Sequence, residues 1–170
     1  MKKGNLYWVT GLSGAGKTTI STLLYKYLRK KQDNIVFIDG DKIRAVYQDT
    51  DYTEKGRERI SYVNMRLCKM LTDQGIDVIL AVIGMRDAYR EWNRKNIDNY
   101  YEIYLEVPID ELIRRDSKGL YSKALSGEIK NVYGIDMKYE EPTNPDVHIV
   151  NDSSELPEKV CERIIQQLNL

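Results

Sequence analysis

The sequence predicts an α/β fold: a three-layer sandwich in which helices cover both faces of a mostly parallel sheet. Three observations point there. Continuous apolar runs of strand length recur along the chain, as in strands buried on both faces. Stretches with apolar residues at three- and four-residue spacing alternate with them, and strand–helix alternation builds a parallel sheet. A glycine-rich turn, "GLSGAGKTT", joins the first such run to the first such stretch.

The elements follow in order. Leu6–Thr10 is the first strand. Thr18–Lys31 is a helix, with Ile20, Leu23, Leu24, Tyr27 and Leu28 on one face. Ile35–Ile38 is the second strand, and a short helix carrying "DGDKIR" follows it. Arg57–Gln74 repeats apolar residues at Ile60, Val63, Leu67, Met70 and Leu71 until Gly75 stops it. Ile76–Ile83, Tyr101–Val107 and Val147–Val150 complete the strands; Asp87–Ile97, Ile109–Asp116 and Ser154–Leu168 complete the helices. Residues 117–146 break this rhythm: the stretch is long, glycine-punctuated and poorly periodic. With its lysines and aromatics it reads as a functional lid rather than a polar linker. The 170 residues suit a single domain, 1–170, with one sizeable core.

Composition narrows the classes of function. Lys plus Arg and Asp plus Glu each number 26, so the chain lacks the basic excess of a nucleic-acid-polymer binder. No apolar run approaches the roughly 20 residues that span a membrane, so no membrane partner is expected. The two cysteines, Cys68 and Cys161, belong to no metal-binding or redox spacing; they read as reduced and buried, in a cytoplasmic protein. The one histidine, His148, lies in the last strand and reads as structural.

Gly11 to Thr18 matches G-x-x-x-x-G-K-[ST], the P-loop pattern. Gly11, Gly14 and Gly16 let the backbone wrap closely around phosphate oxygens, with the amides of Ser13, Ala15 and Thr19 available beside them. Lys17 supplies positive charge to the β- and γ-phosphates, and Thr18 offers a hydroxyl to Mg²⁺. The fold is therefore expected to be of the P-loop NTPase type, binding ATP and Mg²⁺. The Asn-Lys-x-Asp element of guanine-reading GTPases is absent from the sequence. The small size and the lid favour a kinase closing over a small substrate.

Asp39 and Asp41 follow the second strand, at the sheet edge where open α/β folds bind ligands. One carboxylate can help hold Mg²⁺ through water while the other orients an acceptor hydroxyl. Arg44, one helical turn beyond Asp41, can pair with an anionic acceptor. An N-cap aspartate with a solvated arginine accounts for these residues equally well.

Together "GLSGAGKTT", "DGDKIR", "RRDSKGLYSKALSGEI" and "YGIDMKYEEPTNPD" resemble the adenylylsulfate (APS) kinase family over residues 4–151. The resemblance implies transfer of the γ-phosphate of ATP to the 3′-hydroxyl of the APS ribose, with Mg²⁺, by a protein that commonly forms homodimers. It places Asp39 and Asp41 at the metal and hydroxyl site and Arg44 on the acceptor's anionic group. Arg115 starts the lid on the ATP side, Lys118 reaches the phosphates, and residues 135–142 line the acceptor pocket. Tyr52, Arg57, Ile83, Arg86, Leu120, Val132, Tyr133 and Ile135 stand at acceptor positions.

The departures from the family pattern lie on the acceptor side. Where the family reads Phe-Ser-x-x-Asp-Arg-x-x-Asn-x-Arg-Arg, this chain has "YTEKGRERISYV": Arg57 is kept, but Ile60 replaces the Asn, and Tyr62 and Val63 replace the final arginines. Val132 stands where the family has a Phe that stacks on the adenine. With 13 Tyr and one Phe in the chain, Tyr52 for Phe is a compositional exchange, but Ile60 and Val132 are not. After the third strand "IGMRDAYR" is one residue shorter than the family's stretch, with Arg86 keeping its arginine. Two acceptors fit: APS itself, and the cytidine diphosphoramidate that one branch of the family phosphorylates in capsule decoration. A non-catalytic nucleotide-binding module is the third alternative; the retained Lys17, Asp39 and Asp41 count against it.

Overall fold

The computed structural model describes residues 2–116 and 118–170. Five parallel strands form one sheet in the order β2-β3-β1-β4-β5. They are β1 (Leu6–Thr10), β2 (Ile35–Asp39), β3 (Asp77–Ala81), β4 (Tyr100–Glu106) and β5 (Val147–Val150). The helices are α1 (Lys17–Arg29), α2 (Gly40–Val46), α3 (Glu54–Asp73), α4 (Asp87–Asn96), α5 (Ile109–Arg115), α6 (Leu120–Leu125) and α7 (Pro157–Gln167).

The central strand shows why its run is apolar throughout: all five β1 residues are buried. Successive side chains point to opposite faces. Tyr7 and Val9 join a core with Ile20 and Leu24 of α1 and Val160 and Ile164 of α7. Leu6 and Trp8 join a second core with Met65 and Cys68 of α3 and Tyr89 of α4. The two cysteines are buried and free, one in each core. Burial pushes the Cys68 thiol up to about 12 and the Cys161 thiol up to about 11.

Helix ends follow local chemistry. The Thr53 hydroxyl accepts from the Gly56 amide at 3.2 Å and caps α3. Pro157 opens α7 with its φ already set for a helix. Asp39 ends β2 and caps α2, its carboxylate accepting from the Asp41 and Lys42 amides.

The poorly periodic stretch expected as a lid over residues 117–146 is regular in part. That span contains α6 and a parallel bridge between Tyr133 and Met137. Its Tyr121, Val132 and Tyr133 are buried in the core beneath the P-loop side of the sheet. Short helices of this kind carry no long periodic pattern, and here tertiary burial rather than periodicity holds the chain. Ser117, at the start of the expected lid, lies outside the described residues.

Candidate active site

At the C-terminal edge of the sheet the glycine-rich turn curls back on itself. Gly14 and Gly16 adopt φ of 82° and 87°, where side chains are strained. A Cβ on Gly11 would meet the Leu105 carbonyl oxygen at 2.4 Å. Glycine is thus required both for the curl and for its seat on β4. Lys17 donates to the Leu12 carbonyl at 2.7 Å. Burial lowers its ammonium to about 8. The loop is tied down from the far side: Asn151 donates to the Ala15 carbonyl at 2.8 Å, and Arg115 donates to the Asn151 carbonyl at 2.9 Å.

Thr18 and Asp39, 21 positions apart, meet here. The Thr18 hydroxyl donates to Asp39 Oδ2 at 2.6 Å. Burial alone would raise the Asp39 carboxyl, but the Thr18 hydroxyl and the Lys42 and Asp41 amides outweigh it and hold the carboxyl below its usual range. No group of three or more His, Cys, Asp or Glu among the described residues makes an all-protein metal cage. Mg²⁺ at a nucleotide site needs none, since it takes one or two protein oxygens alongside phosphates and water. The Thr18 hydroxyl and Asp39 carboxylate fit that requirement.

Asp41 projects from the first turn of α2 and accepts from Lys118 Nζ at 2.6 Å. That bond holds the Lys118 ammonium above its ordinary range. Both side chains are largely exposed, so the pair adds little to stability.

A cavity of about 870 Å³ runs from the P-loop across these residues to α3. Ser13, Gly14, Gly16, Lys17, Thr18 and Thr19 line its donor end. Asp39, Asp41 and Lys118 line its middle, and Arg44, Tyr52, Arg57, Ile83, Leu120, Val132 and Tyr133 line the rest. Arg44 is not the solvated arginine of the simpler alternative. It is buried, its guanidinium lies 3.4 Å from Asp49 Oδ2, and it stacks 4.5 Å above the Tyr52 ring. Arg57 lies over both Tyr52 and Tyr133 and donates to the Asn131 carbonyl at 2.7 Å. Arg44 is thus offset by Asp49, while Arg57, which pairs with no carboxylate among the described residues, gives this wall positive charge for an anion.

Five expected acceptor or ATP residues do not line the cavity. Arg86 is held by Glu54 and Tyr133. Arg115 is spent on Glu111 and Asn151 and acts behind the P-loop. Ile135 packs against the core, because the Asn131 and Val132 amides donate to the Asp136 carboxylate and turn the chain inward. Gly11 and Ala15 also sit behind the lining, as supports of the loop. His148 lies outside the cavity, stacked on Tyr104 and 2.6 Å from Glu106.

Sequence reasoning missed Ser61, Asn64 and Tyr89, which all line the cavity. Asn64 follows Ile60 by one helical turn, so the face of α3 was readable from Ile60 onward. Asn64 is 4% exposed, and its Oδ1 has no hydrogen-bond partner among the described residues. Asn151 was also missed, since a support behind a loop leaves no local signature.

The adenylylsulphate kinase family model matches residues 3–150. The chain belongs to the adenylylsulphate kinase family. It is 42% identical to a cytidine diphosphoramidate kinase of Campylobacter jejuni, over 99% of each chain. It is 40% identical to a probable adenylyl-sulfate kinase of Archaeoglobus fulgidus, over 87% of this chain and 96% of that one. Among solved structures it superposes on the Mycobacterium tuberculosis APS kinase in complex with AMPPNP and APS with a TM-score of 0.90, at 28% identity and full coverage of both. No helix of the described residues is long and apolar enough to cross a membrane.

Proposed function

We propose that this protein is an ATP-dependent kinase that phosphorylates the ribose 3′-hydroxyl of a cytidine diphosphate-type nucleotide, cytidine diphosphoramidate. The observation that carries the acceptor is the wall formed by Ile60 and Val132, both buried at the cavity. The valine offers no aromatic face, a loss that costs a purine more stacking than a pyrimidine. The full-length similarity to the C. jejuni enzyme supports the same acceptor.

The residues divide the work as follows. The P-loop amides and Lys17 bind the triphosphate. Thr18 and Asp39 would hold Mg²⁺, which when bound neutralises charge on the phosphate oxygens. Both oxygens of Asp39 are committed, to the Thr18 hydroxyl and the α2 amides, whereas Lys118 engages only Oδ2 of Asp41, so Asp41 has the oxygen left to accept the hydroxyl's hydrogen bond. The 3′-oxygen attacks the γ-phosphorus in line, and the bond to the β–γ bridging oxygen breaks to release ADP. The hydroxyl proton passes by way of Asp41 to solvent. Lys118 moves charge toward the phosphoryl group as the exposed lid residues around it, outside the buried Tyr121, Val132 and Tyr133, close and exclude water. The cytoplasmic location expected from the two reduced cysteines and the homodimer expected of the family belong to the same reading.

The second reading, APS as acceptor, is favoured by the retained Arg44 and Arg57 and by the fold of the M. tuberculosis enzyme. The test is incubation with ATP, Mg²⁺ and cytidine diphosphoramidate, the product being identified by mass and by phosphorus–proton NMR coupling. A phosphate coupled to the ribose H3′ supports the proposal. No product, or phosphate at another position, overturns it.

A further inference from the structure

The amide of Asn64 has no role in holding the fold together that its surroundings reveal. Asn64 lies in the middle of α3, where an asparagine is a poor helix former. It is almost wholly buried, yet its carboxamide oxygen has no hydrogen-bond partner among the described residues. A buried polar atom without a partner costs free energy, and such atoms in native proteins call for an explanation. Asn64 is also part of the cavity lining, on the face of α3 that carries Ile60 and Ser61.

The neighbours say which part of a nucleotide comes here. Phosphates are provided for elsewhere, by Lys17 and Arg57. The Ile60 and Val132 side chains are apolar and suit the faces of a base rather than a sugar or an anion. Neither end of the carboxamide has a hydrogen-bond partner among the described residues, so nothing holds its orientation; turned with its oxygen to the cavity it accepts, and the ligand atom opposite it donates. On a cytosine ring that donor is the exocyclic 4-amino group.

We infer that Asn64 is a specificity-determining residue whose carboxamide oxygen accepts a hydrogen bond from the exocyclic amine of the acceptor base. The inference rests on the cytidine reading above. Asparagine reads an edge there that valine or isoleucine cannot, and a missing partner on either side leaves a buried group unpaired.

The test compares two acceptors and two proteins. The acceptors are cytidine diphosphoramidate and its 2-pyrimidinone analogue, in which hydrogen replaces the 4-amino group. The proteins are the native chain and Asn64→Val, each full length, with ATP and Mg²⁺. The readout is the ratio of kcat/KM for the two acceptors, which does not depend on how much of a variant is folded. The native protein is expected to favour the amine-bearing acceptor by about 10- to 100-fold, the range of one buried hydrogen bond. Asn64→Val is expected to bring that ratio to within a factor of about three of unity. A native preference that Asn64→Val keeps in full overturns the role of Asn64 and leaves the cytidine reading standing. Turnover of APS with neither pyrimidine acceptor used overturns both.

Discussion

Lys118 and Asp41 stand 77 positions apart in sequence and 2.6 Å apart in space. The contact joins Lys118, near the start of the expected lid, to the first turn of α2, in the cavity that the Thr18–Asp39 pair also lines. A carboxylate that must orient a hydroxyl and a cation that must reach a phosphoryl group are thus stored against each other.

Asp41→Ala is expected to lower kcat by about 10²–10⁴-fold, the usual contribution of a positioned acid–base group. Its thermal midpoint should scarcely move, because the ion pair is exposed. Single-turnover rates and a melting curve check both halves. Near-native turnover by the folded variant would remove Asp41 from the transfer step.

Lys17 gives the reaction a pH dependence. Burial lowers its ammonium to about 8, and only the protonated form attracts a triphosphate. Below that pH the site is charged and kcat/KM for ATP should be flat; above it, kcat/KM should fall about tenfold per pH unit, since that parameter reports free-enzyme groups. A profile that breaks only near the ordinary lysine value of about 10.4 would show that Lys17 is not desolvated in solution. Lys17→Ala should abolish the break and most of the turnover.

Val132→Phe should restore an aromatic wall and shift preference toward an adenine acceptor by roughly tenfold, the scale of one base–aromatic contact. Val132 is 4% exposed, so the larger ring should also cost about 1–3 kcal/mol of stability. Acceptor kinetics alongside denaturant unfolding separate the two effects. An unchanged base preference would place Val132 outside the base site.

Glu102 is fully buried on β4, paired with Arg94 and 3.5 Å from Arg90. Glu102→Ala would remove the buried carboxylate between Arg94 and Arg90 and leave Arg90 with the carboxylate of Asp87 alone, at a cost of about 1–3 kcal/mol. The thermal midpoint should drop by roughly 5 °C with KM for both substrates preserved. A drop of only a degree or two would mean the arginines find other partners.

The sheet was legible because β1 and β3 are buried on both faces, which forces uninterrupted apolar runs. The donor end was legible because a phosphate cradle dictates glycine, lysine and threonine at fixed spacing. The acceptor end was less so. Arg86 and Ile135 have the right residue types, but Glu54, 32 positions from Arg86, and the Asn131–Asp136 turn around Ile135 direct them elsewhere. Asn64 was overlooked for the opposite reason: an isolated asparagine in a helix is unremarkable until its empty hydrogen-bonding position is seen at a cavity wall.

The most direct test of the central claim is a competition. The native protein, ATP and Mg²⁺ are mixed with equal concentrations of APS and cytidine diphosphoramidate, and the initial rates of the two 3′-phosphorylated products are read by mass. The Ile60–Val132 wall predicts that the cytidine product forms first and in excess. Predominant formation of the APS product would contradict the account and make that wall a tolerated variation on an adenine site.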